Sequence, residues 1–362
     1  MAKQHPALTA IAAGLVTLPF LALVFLTNRD VFLLIGILGI LCLSMLLFTR
    51  PEYGLAALLI VRPLVDSIGD RTVTFFSLTL NVAAILSLLV IVWGVWLMQE
   101  HREKIRDLPL VWILGAFGAM SILSLSYSLT PFATVTEILR FGSFFTLFIV
   151  ALLTIKDVPA LTRVFSGLAI GIVLPMFAGL VQVATNHGLT FADSVNRAYG
   201  TFGHPNVLAF YVVLCLMMLL GWKLVRPNAL GTHPLFLVLL TITLLLTQTR
   251  GAWLGLATGL GVVGLLRFRH VLFTGILIAI ATLLLLPALT SSFGSMGVDL
   301  KQAPVIGPIV QREFNTSSYD WRIQVWSDMK SYFYQRPIIG SGLGSFPTLQ
   351  QYKNFDIYDQ GI

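Results

Sequence analysis

The chain has 362 residues, of which 57% are hydrophobic and only 11% are charged. Soluble domains carry about 25% charged residues, so this composition excludes an ordinary soluble protein and indicates a polytopic membrane protein. The net charge of +7 does not indicate a nucleic-acid partner, because the basic residues lie mostly in short loops between apolar segments, where they set topology. The cysteines Cys42 and Cys215 lie inside apolar runs, so no disulfide framework is indicated.

Apolar runs of spanning or nearly spanning length recur along the chain. Because lipid offers no partner to free backbone groups, the spans are expected to be helical, and the predicted fold class is all-α. Residues 1–290 are predicted to form a transmembrane helix bundle, and residues 291–362 a long loop with short amphipathic helices. Eleven spans are predicted, near residues 7–26, 31–49, 52–66, 75–98, 109–127, 132–154, 161–185, 205–221, 235–249, 252–268 and 270–290.

The distribution of lysine and arginine predicts the orientation. If all eleven segments cross and the N-terminus is cytoplasmic, the short outer loops hold only Arg29, Arg71, Arg197 and Arg250. The inner loops then hold most of the other basic residues, as the positive-inside rule requires. The short third span, interrupted by Arg62-Pro63, must cross for this bias to hold. The residues from 186 to 204, the turn at Arg250 and the segment after 291 are then on the outer face.

Spans nine and ten are separated by almost no loop, only a polar cluster around Arg250. An arginine with so few polar neighbours is expected to face protein or a water-filled cavity. Two interpretations stand side by side: a snorkelling membrane anchor, or a cation that binds an anion at the membrane surface. Small residues at Gly255 and Gly259 predict close helix packing that holds Arg250 in place.

The outer segment predicts an amphipathic helix over 319–333 that lies along the membrane surface. Arg322 is predicted in its first turn, where free N–H groups would add to an anion site. An ordinary solvated arginine is the alternative. The glycine-rich residues 340–344 do not have the spacing of a dinucleotide fingerprint. They predict a flexible turn that lets the backbone approach a ligand.

Other polar residues predict structural pairs. Glu137 and Arg140 are three apart, and Arg62 and Asp66 are four apart, so each pair is expected to form an ion pair on one helix face. His204 is interpreted as a proton acceptor or ligand, or as a structural residue at a helix start. The sequence shows no cysteine–histidine pattern at metal-ligand spacing, so neither a metal nor a cofactor is expected.

Arg250 and Arg322 are both predicted on the outer face. Guanidinium groups bind phosphate oxygens through paired hydrogen bonds, so the two residues predict a site for an anion. A diphosphate on a lipid tail fits such a site, with its tail among the helices and its headgroup at the loop.

Three motifs carry a resemblance to a known family. Residues 247–253 resemble the arginine motif of the O-antigen ligase and O-antigen polymerase superfamily. Residues 200–206 resemble its motif that opens a middle helix. Arg322 with the following Val325-Trp326, and residues 337–346, resemble the start of its long periplasmic loop. The resemblance covers roughly residues 195–350 by motif, and the whole chain by helix pattern.

The resemblance implies a glycosyltransferase of the bacterial inner membrane that moves a glycan from undecaprenyl diphosphate to a sugar hydroxyl. The acceptor would be lipid A-core or another lipid-linked glycan, and a protein serine in a related branch. The resemblance implies that Arg250 and Arg322 are catalytic and bind the diphosphate. The full set of predicted substrate-binding residues is Arg250, Arg322, Arg140, His204, Asn206, Gly342 and Gly344.

The sequence departs from the family in one respect. The family has a histidine later in the loop, thought to act as general base, and no histidine follows His270 here. We expect either a chain shortened at its C-terminal end or a base elsewhere. The alternative functions are a transporter or channel for a small anion, for which only the third span offers an interrupted helix, and a related cell-wall glycan polymerase. The sugar, its linkage and the acceptor are left open.

Overall fold

The computed structural model describes residues 31–68, 72–75, 78–106, 108–190, 196–268 and 317–346. The spans predicted near 7–26 and 270–290, and the predicted domain boundary at 290, lie outside these residues. The described part is mostly helical. Its helices are α1 (Val31–Thr49), α2 (Pro51–Val65), α3 (Val82–Glu100), α4 (Arg102–Arg106), α5 (Pro109–Leu123), α6 (Pro131–Thr154), α7 (Val158–Gly171), α8 (Val173–Ala184), α9 (Pro205–Val225), α10 (Pro234–Thr247), α11 (Arg250–Arg267) and α12 (Ser317–Gln335).

Within the described residues, five helical segments are long and apolar enough to cross a membrane. They are Val82–Glu100, Pro109–Ser126, Pro131–Thr154, Val158–Ala184 and Pro205–Val225. Each overlaps a predicted span, but the total of eleven is not confirmed by these residues. Large apolar side chains cover the outer faces of such helices; Ile113, for example, is 64% exposed and Phe144 is 64% exposed. Exposed apolar surface on this scale is typical of a protein that contacts lipid.

A β-hairpin stands where the fourth span was predicted to begin. Strand β1 (Thr72–Phe75) pairs antiparallel with strand β2 (Leu78–Asn81), so that Thr72 lies opposite Asn81. Helix α3 therefore begins at Val82, and the predicted start near residue 75 was wrong. The reason is local: threonine alternates with valine and phenylalanine in β1, and β-branched and aromatic residues favour an extended backbone.

The described residues form two compact units, and the first contains those of Met1–Val173 and Met329–Phe355. Its core is apolar and centred on Trp93, which is fully buried. Helices α2 and α7 approach closely because Gly167 has no side chain: a Cβ atom there would lie 2.7 Å from the carbonyl oxygen of Ala56. Small residues allow this contact in membrane helices, where tight packing supports association in place of the hydrophobic effect.

The second unit contains the described residues of Leu174–Asp328. Among the described residues, helix α9 supplies more of its buried hydrophobic side chains than any other helix, namely Leu208, Ala209, Val212, Cys215, Leu216, Leu219 and Trp222. A Cβ atom at Gly179 of α8 would lie at ordinary contact distance from the side chains of Leu208 and Thr243, so α8, α9 and α10 meet around this glycine. This packing positions the end of α10, where the candidate site begins.

A candidate anion site at the junction of two helices

Helix α10 ends at Thr247 and helix α11 begins at Arg250, so only Gln248 and Thr249 lie between them. The predicted near-absence of a loop is confirmed. Gln248 takes the left-handed conformation, with φ 52°, that often ends a helix. Gln248 is 6% exposed, and its Oε1 atom has no hydrogen-bond partner among the residues that the structure describes. We call these two residues, with Arg250, the junction.

The end of α10 receives donors from the loop that precedes α9. The last four carbonyl groups of a helix lack partners within it. Arg197 Nε donates to the carbonyl oxygen of Thr247 at 2.9 Å, and the backbone N–H of Ala198 donates to that of Leu246 at 3.0 Å. The other two accept from residues at or just beyond the junction: Leu244 from Trp253 Nε1 at 3.3 Å and Leu245 from the backbone N–H of Gln248 at 3.0 Å.

Arg197 also closes a network with two side chains. Its second terminal nitrogen donates to Asn206 Oδ1 at 3.0 Å and to Thr249 Oγ1 at 3.1 Å. Thr249 Oγ1 donates in turn to Asn206 Oδ1 at 3.1 Å. Arg197 is only 2% exposed. Arg197, Asn206 and Thr249 form the junction network. This network fixes the position of Thr249, the residue immediately before Arg250.

The sequence did not predict that Arg197 belongs to the site. It placed this residue only among the arginines of the short outer loops. Asn206 was predicted there, and the network places Asn206 one hydrogen bond from Thr249. No local spacing could have found Arg197, because its partners Thr247 and Thr249 lie 50 and 52 residues further along the chain.

The motif over residues 200–206 begins with Gly200, which packs closely against the backbone of another residue. Gly200 has φ +63°, and a Cβ atom there would lie 2.6 Å from the carbonyl oxygen of Pro175. The Gln182 side chain supports this turn: Oε1 accepts from the backbone N–H groups of Tyr199 and Gly200 at 3.1 and 2.8 Å. Gln182 Nε2 donates to the carbonyl oxygen of Gly200 at 2.7 Å. Only glycine takes this conformation and this contact without strain.

His204 is the residue that caps helix α9. Its Nδ1 atom accepts from the backbone N–H of Asn206 at 3.0 Å, as a capping side chain does. The structural interpretation of His204 is thereby supported, while a role in substrate binding stays a prediction.

Arg250 is the first residue of α11 and is partly exposed. Its side chain makes no hydrogen bond or ion pair with the residues that the structure describes. The first N–H groups of a helix also lack partners within it, so an anion at this position would meet both the guanidinium group and free backbone donors. The arrangement can therefore bind a negatively charged oxygen.

Arg322 lies on helix α12, and the helix predicted over 319–333 is confirmed as Ser317–Gln335, while its amphipathic character stays a prediction. Because this helix begins at Ser317, Arg322 is its sixth residue and lies in the second turn. The prediction that Arg322 lies in the first turn was wrong. The side chains of residues 317–322 are outside the description, so the pairing of Arg250 with Arg322 stays a prediction.

The glycine-rich segment packs within the first unit, against the residues that begin helix α6. Thr134 Oγ1 donates to the carbonyl oxygen of Leu343 at 2.6 Å, and Tyr127 donates from its hydroxyl to that of Ile339 at 2.8 Å. Gly342 has φ +98°, and a Cβ atom there would lie 2.8 Å from Ser128. The backbone thus approaches protein at this glycine. Substrate contacts of Gly342 and Gly344 stay predictions.

The two ion pairs predicted from spacing are confirmed. Arg140 pairs with Glu137, and Arg62 pairs with Asp66. The Arg140 side chain is still 70% exposed, and its role in substrate binding stays a prediction. Among the described residues, no group of three histidine, cysteine, aspartate or glutamate side chains could hold a metal ion.

Comparison with known proteins assigns the second part of the chain. Residues 235–361 match the family model described as O-antigen ligase. This region is similar to O-antigen ligases. The matched range begins within α10 and contains the junction, Arg322 and the glycine-rich segment, so the resemblance is confirmed. No curated protein and no solved structure matches the chain. Together with the apolar helices, the match indicates a membrane glycosyltransferase of the O-antigen ligase or polymerase type.

Proposed function

We propose that this O-antigen ligase-type protein transfers a glycan from undecaprenyl diphosphate to a sugar hydroxyl at the periplasmic face. The acceptor is lipid A-core or another glycan. The observation that carries the proposal is Arg250: a cation without a described partner, at the head of a helix, inside the region that matches the family.

The transfer breaks the bond between the anomeric carbon and the diphosphate oxygen, and the diphosphate leaves with the electron pair. The acceptor oxygen forms the new glycosidic bond and gives its proton to a base. Negative charge therefore grows on the diphosphate as the reaction proceeds. A donor already in place for that charge lowers the barrier, because it costs no reorganisation during the reaction. Arg250 would supply two N–H groups to the phosphate oxygens, and Arg322 a second guanidinium group.

The junction network supports this role over that of a snorkelling anchor. An anchor requires only a long flexible side chain near the headgroups. Here Thr249, the residue before Arg250, bonds to the buried Arg197 and to Asn206. A backbone held this closely is useful where a charge must stand in one place, which is the requirement for stabilising a leaving group.

The experiment uses the full chain, purified and reconstituted with undecaprenyl diphosphate-linked oligosaccharide and a lipid A-core acceptor. Arg250→Ala is expected to lower turnover by roughly 10²–10³-fold, the usual effect of losing one such donor. The matched control is Arg267→Ala, which removes the arginine at the other end of the same helix and is expected to keep wild-type turnover.

Arg322→Ala is expected to lower turnover by a similar factor, and Lys330→Ala on the same helix serves as its control. If both arginine variants transfer glycan at the wild-type rate, the donor-site assignment is wrong. Passage of a small anion across the vesicle membrane, with no glycan transfer by the wild-type chain, would favour the transporter instead.

A further inference from the structure

A groove lies in the first unit where α3 ends, α4 turns the chain and α5 begins. Its volume is about 710 Å³. Its lining is mostly apolar and includes two arginines; the residues that matter are Val95, Met98, Ile105, Trp112, Arg102 and Arg106. None of these residues belongs to the junction, so the groove is a feature separate from the proposed donor site.

The sequence explains why the two arginines face the same way. Arg102, Ile105 and Arg106 have the spacing of one helix face, and all three line the groove. Glu103, between them in sequence, falls on another face and does not line it. In the part of the chain that the structure describes, no carboxylate contributes to the groove wall, so its charge is positive.

The two guanidinium groups have no partner among the residues that the structure describes. Both residues are exposed, and neither makes a hydrogen bond or an ion pair with the described residues. Arg62 and Arg140 differ, since each pairs with a carboxylate three or four residues away along the chain. Two neighbouring unpaired arginines repel each other, and a bound anion removes that cost.

Trp112 shapes the apolar side of the groove. Its indole N–H donates to the carbonyl oxygen of Arg106 at 3.0 Å and so ties the start of α5 to the end of α4. The Trp112 side chain nevertheless remains 65% exposed. A tryptophan whose N–H makes one polar contact and whose ring is exposed is typical of the membrane–water interface, where the lipid headgroups lie. The groove therefore combines two cationic side chains with an apolar surface that hydrocarbon can contact.

We propose that this groove binds an anionic phospholipid, with its phosphate on Arg102 and Arg106 and its glycerol and upper acyl chain on Val95, Met98 and Trp112. A free phosphate would leave the apolar lining uncovered, and a neutral lipid would leave the arginines without an added charge. The sequence places Arg102 and Arg106 in a predicted cytoplasmic loop, the side where basic pockets between membrane helices meet anionic headgroups.

The experiment measures phosphatidylglycerol binding to the detergent-purified full chain by native mass spectrometry, with phosphatidylcholine as the neutral comparison. Wild type is expected to prefer phosphatidylglycerol. Arg102→Gln/Arg106→Gln is expected to weaken that binding by roughly 30-fold, from about fivefold for each basic residue. The matched control, Arg226→Gln/Arg267→Gln, removes two exposed arginines that are predicted on the same side but lie outside the groove, and it is expected to bind like wild type.

Three results would overturn the proposal: unchanged phosphatidylglycerol binding by the groove variant, equal binding of the two lipids by wild type, or displacement of the lipid by inorganic phosphate. The single charge reversal Arg102→Glu, at an exposed position, provides a second variant and is expected to weaken binding at least as much as Arg102→Gln. Equal circular dichroism spectra of wild type and each variant establish that the fold is retained.

Discussion

Arg197 Nε donates a hydrogen bond to the carbonyl oxygen of Thr247, a residue 50 positions later in the chain, across 2.9 Å. This contact joins the loop before α9 to the end of α10. Through Thr249 and Asn206 it also positions the first residue of α11. The candidate site therefore depends on a buried arginine that does not itself present a free surface.

Arg197→Met should destabilise the protein. The change removes the hydrogen bonds that the charged Arg197 side chain donates to the Thr247 carbonyl oxygen, Asn206 and Thr249. A hydrogen bond to a charged group contributes about 1.5–3 kcal/mol. Glycan transfer should fall as well, because the backbone before Arg250 loses a constraint. Thermal unfolding in detergent, followed by circular dichroism, measures the first effect.

The control for this prediction is a double-mutant cycle with Thr249→Val. If Arg197 and Thr249 act as one network, the two changes together should cost less than their sum, with a coupling of about 0.5–3 kcal/mol. Additive effects of the two changes would show that the network does not act as a unit.

Gly200→Ala should destabilise the protein far more than Gly203→Ala. At Gly200 an alanine would need a left-handed backbone and would bring Cβ within 2.6 Å of the Pro175 carbonyl oxygen, whereas a Cβ at Gly203 meets nothing within 4 Å. The left-handed conformation alone costs roughly 1–2 kcal/mol. Melting temperatures of the two variants, measured side by side, check this; similar values would mean that the turn relaxes without cost.

Comparison of Gly342→Ala with Gly340→Ala separates two effects of an added side chain. One is backbone strain, and the other is loss of the packing of the glycine-rich segment against the turn that precedes α6. Both glycines have positive φ, at +98° and +67°, but only Gly342 has a close neighbour, Ser128. The Gly340 variant should show only the strain, about 1 kcal/mol. The Gly342 variant should also expose the glycine-rich segment to limited proteolysis. Equal cleavage rates in the two variants would contradict the packing of this segment against Ser128.

Lys104→Cys, placed in a chain whose Cys42 and Cys215 are replaced by alanine, tests the predicted topology. A cytoplasmic residue 104 should resist a membrane-impermeant thiol reagent in intact cells and react after lysis. His187→Cys, in a loop predicted on the outer face, should react in both cases. Labelling of residue 104 in intact cells would reverse the assignment of sides.

The sequence allowed correct prediction where the partners are close along the chain. Glu137 and Arg140 lie one helical turn apart, and so do Arg62 and Asp66, so spacing alone identified both ion pairs. The tight turn at Arg250 was predicted because two apolar runs leave almost no residues between them. In these cases the local geometry of a helix determines the contact.

Prediction failed where distant segments decide the structure. Arg250 was expected to be held by small-residue packing of its helix. A Cβ at Gly259 would lie 3.0 Å from Met217, whereas a Cβ at Gly255 would meet nothing within 4 Å among the described residues. A further constraint, which was not predicted, comes from Arg197 in a different segment of the chain. The hairpin that ends at Asn81 was not predicted for another reason. The span near 75–98 was predicted from the length of an apolar run, and the β-propensity of its first residues was not considered.

The position of Arg197 also has an electrostatic consequence. The peptide dipoles of α10 add up to a partial negative charge at its end, and those of α11 to a partial positive charge at its start, within a few residues of each other. Without a nearby positive charge, the negative end of α10 would weaken the positive potential at the start of α11 and would repel an approaching anion. The buried positive charge of Arg197 lies against the negative pole, so the attraction exerted by the head of α11 is left largely undiminished.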